Sequence, residues 1–144
     1  MKYRRAVFIV TYARTKKGIE YLILKRKLHW KGWEFPKGAV NFLEKKKSAV
    51  KREIKEETGL TPLKIKKRNF SGKYKYDKIY SDRPKFQGQS FQLYSAEVKK
   101  EKIKLDNLEH SDYKWVSFEE ALKKLTWPNQ KKSLRIVNFW IRNG

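Results

Sequence analysis

The sequence predicts an α/β domain in which a mixed β-sheet lies between helices. Three observations carry this. The periodicities run in mixed order: a hairpin, a helix, several strands, then helices, which fits no doubly wound parallel sheet. At 144 residues the chain suits one domain, 1–144, burying roughly 70 % of its unfolded surface. Its 5 Trp, 8 Tyr and 8 Phe supply enough apolar area for a core, which excludes a disordered chain.

Arg4 to Ala13 is expected as a strand of β-formers, with Val7, Ile9 and Thr11 alternating with Phe8, Val10 and Tyr12. Gly18 ends a turn, and Ile19 to Lys25 returns as the second strand. Leu28 to Pro36 holds two Trp, a Gly and a Pro, so it reads as a loop with a short extended piece at Trp33-Glu34-Phe35. Glu44 to Thr58 is helical, with Ala49, Val50 and Ile54 inward; Gly59 terminates it and Pro62 follows. Ile65 to Tyr76 is a strand broken at Ser71-Gly72, Asp77 to Gly88 a loop, Gln89 to Val98 a strand, and Tyr113 to Val116 a short strand. Ser117 with Glu120 forms a capping box for a helix to about Leu125. Pro128 opens a last helix that carries Leu134, Val137 and Ile141 on one stripe.

Cysteine is absent, which excludes disulfides, thiolate metal sites and cysteine nucleophiles. There is no apolar run of transmembrane length, and Ala6 to Tyr12 is too short and too β-branched for a signal peptide, so a cytoplasmic protein is expected. Lys and Arg number 37 against 15 Asp and Glu, a formal charge of +22. Such a field draws polyanions over about 8 Å at physiological salt, although a Lys-rich proteome would give the same composition.

Acids are scarce, yet Glu44, Glu53, Glu56 and Glu57 fall close together. On a helix Glu53 neighbours Glu56 (i, i+3) and Glu57 (i, i+4), where like charges repel. A divalent cation would remove that repulsion, and oxygen-only ligands favour magnesium, with manganese next. A solvated helix with an Arg52–Glu56 pair is the plain alternative. The spacing from Gly38 through Glu44, Arg52-Glu53, Ile54, Glu56-Glu57 and Gly59 to Leu60 resembles the Nudix box, G-x5-E-x7-R-E-U-x-E-E-x-G-U, at all nine fixed positions.

The resemblance implies a Nudix-type α/β/α sandwich and a hydrolase that cleaves nucleoside diphosphates linked to another moiety. It implies metal ligation by Glu53, Glu56 and Glu57, with the Gly38 carbonyl joining them, and an Arg52–Glu44 pair that orients the helix. Many members carry Glu where this chain has Asn41. Phe42 and Leu43 are expected to pack against the core instead.

Trp33-Glu34-Phe35-Pro36-Lys37-Gly38 is similar to a stretch of the diadenosine tetraphosphate hydrolases, which implies that Lys37 contacts phosphate. Glu109 to Val116 resembles a later segment of that group and of bacterial RNA 5′-pyrophosphohydrolases. Glu109 is thereby implied as an extra metal ligand or base, with Glu97 a weaker candidate. Tyr74 and Tyr76 share a strand face and, with Trp127, are candidates to clamp a base; as half-buried sheet residues they would serve packing alone. His29 and His110 show no partner pattern and read as loop residues. The expected activity is metal-dependent asymmetric cleavage of diadenosine tetraphosphate to ATP and AMP. The alternatives are an RNA 5′-pyrophosphohydrolase, a nucleoside triphosphate pyrophosphatase, and a non-catalytic RNA-binding module. The sequence leaves the oligomeric state open.

Overall fold

The structure is a computed structural model that describes residues 2–143. Its strands are β1 (Lys2–Thr15), β2 (Gly18–Arg26), β3 (Gly32–Glu34), β4 (Lys37–Ala39), β5 (Lys64–Lys75), β6 (Phe86–Glu97) and β7 (His110–Val116). The helices are α1 (Lys46–Thr58), α2 (Phe118–Lys124) and α3 (Pro128–Asn143). The sheet order is β3-β2-β1-β6-β5, with β4 on β1 and β7 on β2. β1 and β6 are parallel while the other pairs are antiparallel, so the sheet is mixed as the sequence predicts.

Period-two alternation divides β1 between two cores. Val7, Ile9 and Ala13 pack with Leu22 and Leu24 against Ala49, Val50 and Ile54 of α1. Phe8, Val10 and Tyr12 pack with Ile23, Phe91 and Leu93 against Leu134, Val137 and Ile141 of α3. Each fully buried Leu or Ile contributes about 1.5–3 kcal/mol. No helix among the described residues is long and apolar enough to cross a membrane.

Several expectations shift. α1 starts at Lys46 rather than Glu44, because Glu44 closes a turn: its N–H donates to Asn41 O and its carboxylate accepts from Asn41 N. Gly59 ends the helix in the left-handed conformation as expected, at φ 78°. Phe42 and Leu43 do not pack against the core. They are 91 % and 85 % exposed, since the inward pull on Glu44 turns the intervening pair out, with Leu43 at φ 63°. The irregularity in β5 lies between Lys67 and Ser71, ahead of Ser71-Gly72. β6 begins at Phe86 because β1 pairs with it from Lys2 onward. β7 begins at His110 because β2 continues to Arg26 as its partner. β4, too short for periodicity to reveal, places Gly38 opposite Val7. The capping box is present in its first half: Ser117 Oγ accepts from Glu120 N at 3.1 Å.

Candidate active site

Arg52 ties Glu53 and Glu56 of α1 to Glu44 in the turn before it. Its Nε and Nη2 donate to both oxygens of Glu44, at 2.8 and 2.9 Å, and Nη2 also reaches Ala39 O at 2.8 Å. Nη1 donates to Glu53 Oε1 at 2.7 Å and lies 3.3 Å from Glu56 Oε2. The expected pairs of Arg52 with Glu44 and Glu56 therefore both form. These bonds hold the Glu44 carboxyl at about 2. The helix buries Glu53 and Glu57 and leaves Glu56 exposed.

Gly38 on β4 comes against the Glu53 carboxyl so closely that a methyl group there would overlap it. Gly38→Ala is therefore expected to push Glu53 aside and weaken magnesium binding by about 10- to 100-fold. Calorimetric titration of the folded variant with magnesium checks this, and wild-type affinity would contradict it. The next β4 contact runs from Lys37 N, which donates to Glu57 Oε1 at 3.2 Å.

Glu109 and His110, where β7 begins, meet this helix from the other side. One ligand atom from each of Glu57, Glu109 and His110 lies within 4.8 Å of the others. Burial raises the Glu53 carboxyl to about 7, against the opposing pull of Arg52 and with Glu56 and Glu109 adding repulsion. Glu57 is pushed well above the carboxylate range by burial and by Glu34, Glu109 and Glu53.

Glu34 lies fully buried beneath this group. Its Oε2 is 2.7 Å from His110 Nε2 and 3.3 Å from Arg26 Nη1, and Lys37 Nζ stands 3.6 Å from Oε1. Burial alone would raise this carboxyl, but Lys37, the His110 bond and Arg26 outweigh it and hold it at about 2. The other ring nitrogen of His110, Nδ1, is buried and has no hydrogen-bond partner among the described residues. Crowded, buried carboxyl oxygens that resist ionisation without a counter-charge fit a hard divalent cation.

A cavity of about 520 Å³ opens beside these groups, on the α3 face of the sheet. Lys37, Tyr74, Tyr76 and Trp127 all line it, as do Trp30, Tyr80, Arg26 and Arg83, which the sequence reading missed. Tyr74 and Tyr76 meet edge to face at 6.3 Å, and Trp30 and Trp127 at 5.3 Å. Tyr76 OH donates to Gln89 Oε1 at 2.9 Å. His29 sits in the loop as expected, with its ring 4.3 Å from that of Tyr80.

Two expectations fail. His110 is a buried strand residue rather than a loop residue, because Arg26 and Glu34 extend the polar interior to it. Glu97 pairs with Arg14 at 3.6 Å and sits opposite Tyr12, about 16 Å along β1 from the Val7–Gly38 pair. It takes no part in the site.

The mixed sheet between helices that carries this site has counterparts among known proteins. The chain belongs to the NUDIX domain family, whose sequence profile matches residues 2–136. Hydrolases of that family generally use divalent metal ions on nucleotide-type substrates. The chain is 28 % identical over 142 residues to an RNA pyrophosphohydrolase of Nitratiruptor sp., covering 94 % of this chain and 91 % of that protein. Its fold matches a candidate NUDIX hydrolase of Listeria monocytogenes with a TM-score of 0.81 at 21 % identity, covering 99 % of this chain and 96 % of the other. It also matches an Ap4A hydrolase of Caenorhabditis elegans in a binary complex, with a TM-score of 0.80 at 23 % identity, over 98 % and 99 % of the two chains.

Proposed function

We propose that the protein is a metal-dependent pyrophosphohydrolase that cleaves a phosphoanhydride at the 5′-polyphosphate end of an RNA. One observation carries the reading: the aromatic cavity and the carboxylate cluster share the wall formed by Arg26 and Lys37. The aromatic rings accept a nucleobase, for which stacking is worth about 1–3 kcal/mol. Lys37 and Arg26 hold polyphosphate oxygens between that base and the helix. Glu53, Glu56, Glu57 and Glu109, with the Gly38 carbonyl, would hold magnesium or manganese, and Arg52 with Glu44 fixes the helix that presents them. Cations held there would supply neutralisation of phosphate charge and a more acidic water. The Glu109 carboxylate, half-buried at the rim, accepts the proton lost by the attacking water.

The RNA end is favoured by the +22 charge and by the activity named for the Nitratiruptor relative. Asymmetric cleavage of diadenosine tetraphosphate is a second reading, supported by the aromatic walls and by the Ap4A hydrolase neighbour. Turnover of 5′-triphosphorylated RNA, diadenosine tetraphosphate and free nucleoside triphosphates in magnesium separates them. The RNA is expected to show the highest kcat/KM. Faster release of ATP and AMP from the dinucleotide would transfer the assignment to it. Salt-sensitive RNA binding without release from any of these compounds would mark a binding module instead.

A further inference from the structure

A second recess, of about 320 Å³, lies on the opposite, α1-side face of the sheet. Its floor is set by strand register. Arg5 on β1 pairs with Ser90 on β6, which pairs with Lys73 on β5, so the three stand in a row across the sheet on the face shared with Val7. The next row brings Gln92 beside Ser71. With strands about 4.8 Å apart, the Arg5 and Lys73 backbones are about 10 Å apart, with a serine between them. Lys46, the first residue of α1, closes the recess. Lys46 precedes Glu53 by seven residues, so it sits on the same helix stripe about 10 Å away. On β1 the recess adjoins the loop of the site, where Val40 N donates to Arg5 O.

The lining contains no acid, and its apolar members are Ala6, Gly72 and the buried Phe91. Among the described residues, Arg5, Lys46 and Lys73 have no carboxylate partner, and Lys73 instead lies 5.1 Å over the Tyr3 ring. The Ser71 and Ser90 hydroxyls likewise have no side-chain hydrogen bond among the described residues. Cations spaced along a concave, hydroxyl-lined strip match a sugar-phosphate chain, whose phosphates take the charges and whose ribose hydroxyls take the serines. A lipid surface would call for exposed apolar side chains, which this recess lacks.

We propose that this recess holds the single-stranded RNA downstream of the 5′ end that enters the site. The proposal rests on the RNA reading above for why a 5′ end is present, but binding here is read without turnover. Fluorescence anisotropy with 5′-monophosphorylated RNA, as a trinucleotide and as a decanucleotide, measures the affinity gained with length. Wild type is expected to bind the longer RNA more tightly. The R5Q/K73Q variant should lose that gain, and its log K against log salt should be shallower by about 1.4, from two contacts at about 0.7 each. The K99Q/K123Q variant, of equal net charge and exposed elsewhere, should keep both. An unchanged gain in R5Q/K73Q would overturn the proposal. So would an equal loss in K99Q/K123Q, or binding to phosphatidylserine vesicles with no length gain for RNA. Absence of hydrolysis with the length gain intact would sink the proposed function and leave the recess assignment standing.

Discussion

Glu56→Gln is expected to lose about 10²–10³-fold in kcat with its fold intact. The magnitude is that of removing one preorganised electrostatic contact at a site of developing charge. The fold is safe for local reasons. Glu56 is exposed on α1, its partner is Arg52, and Arg52 keeps Glu44 and Glu53 in the variant. Gln also matches Glu in helix propensity, so stability should change by less than about 0.5 kcal/mol. What changes is one formal negative charge at the mouth of the carboxylate group. Steady-state turnover in magnesium, with a thermal melt as control, makes the comparison. Wild-type rates in a folded Glu56→Gln would remove that carboxylate from the chemistry.

The parts of this molecule that local pattern encodes were legible in the sequence, and those that depend on distant partners were not. The spacing of Gly38, Glu44, Arg52, Glu53, Glu56 and Glu57 specifies a loop and a helix face, and the structure forms the Arg52 pairs at those positions. Tyr74 and Tyr76, at the end of β5, and Trp127, ahead of α3, come from distant segments, yet all line the cavity. Arg26, Glu34 and His110 escaped because each looks ordinary in its own segment. A charged residue reads as surface, but β2 continues inward through Leu22 and Leu24 to Arg26, and Glu34 lies between Trp33 and Phe35. An acid amid aromatic residues was the available signal, and only tertiary pairing reveals its partners. Phe42 and Leu43 misled for the converse reason. Their apolarity argued for burial, but the chain turn that closes Glu44 onto Arg52 decides their direction.

Glu34→Gln is expected to destabilise the protein by about 3–5 kcal/mol near neutral pH, because it strips the charge partner from cations held in the interior. Arg26 is 5 % exposed and its Nη1 faces the Glu34 carboxylate, so the neutral amide leaves a buried guanidinium poorly compensated. Lys37 loses the same counter-charge, and His110 Nε2 loses its carboxylate partner. For a domain of this size a loss of about 3 kcal/mol lowers Tm by about 10 °C. The effect carries a pH signature. The folded Glu34 carboxyl sits at about 2, below its ordinary value of 4.5, so its stabilisation is present above pH 4.5 and is lost as pH falls towards 2. The Gln variant has no such proton to bind. The gap between wild type and variant should therefore be full at pH 7 and close on acidification. Urea unfolding of both proteins at pH 7 and pH 3 reads this directly. A gap that stayed constant would mean that the amide harms packing rather than charge. A missing gap at pH 7 would mean that the interior cations do not depend on Glu34.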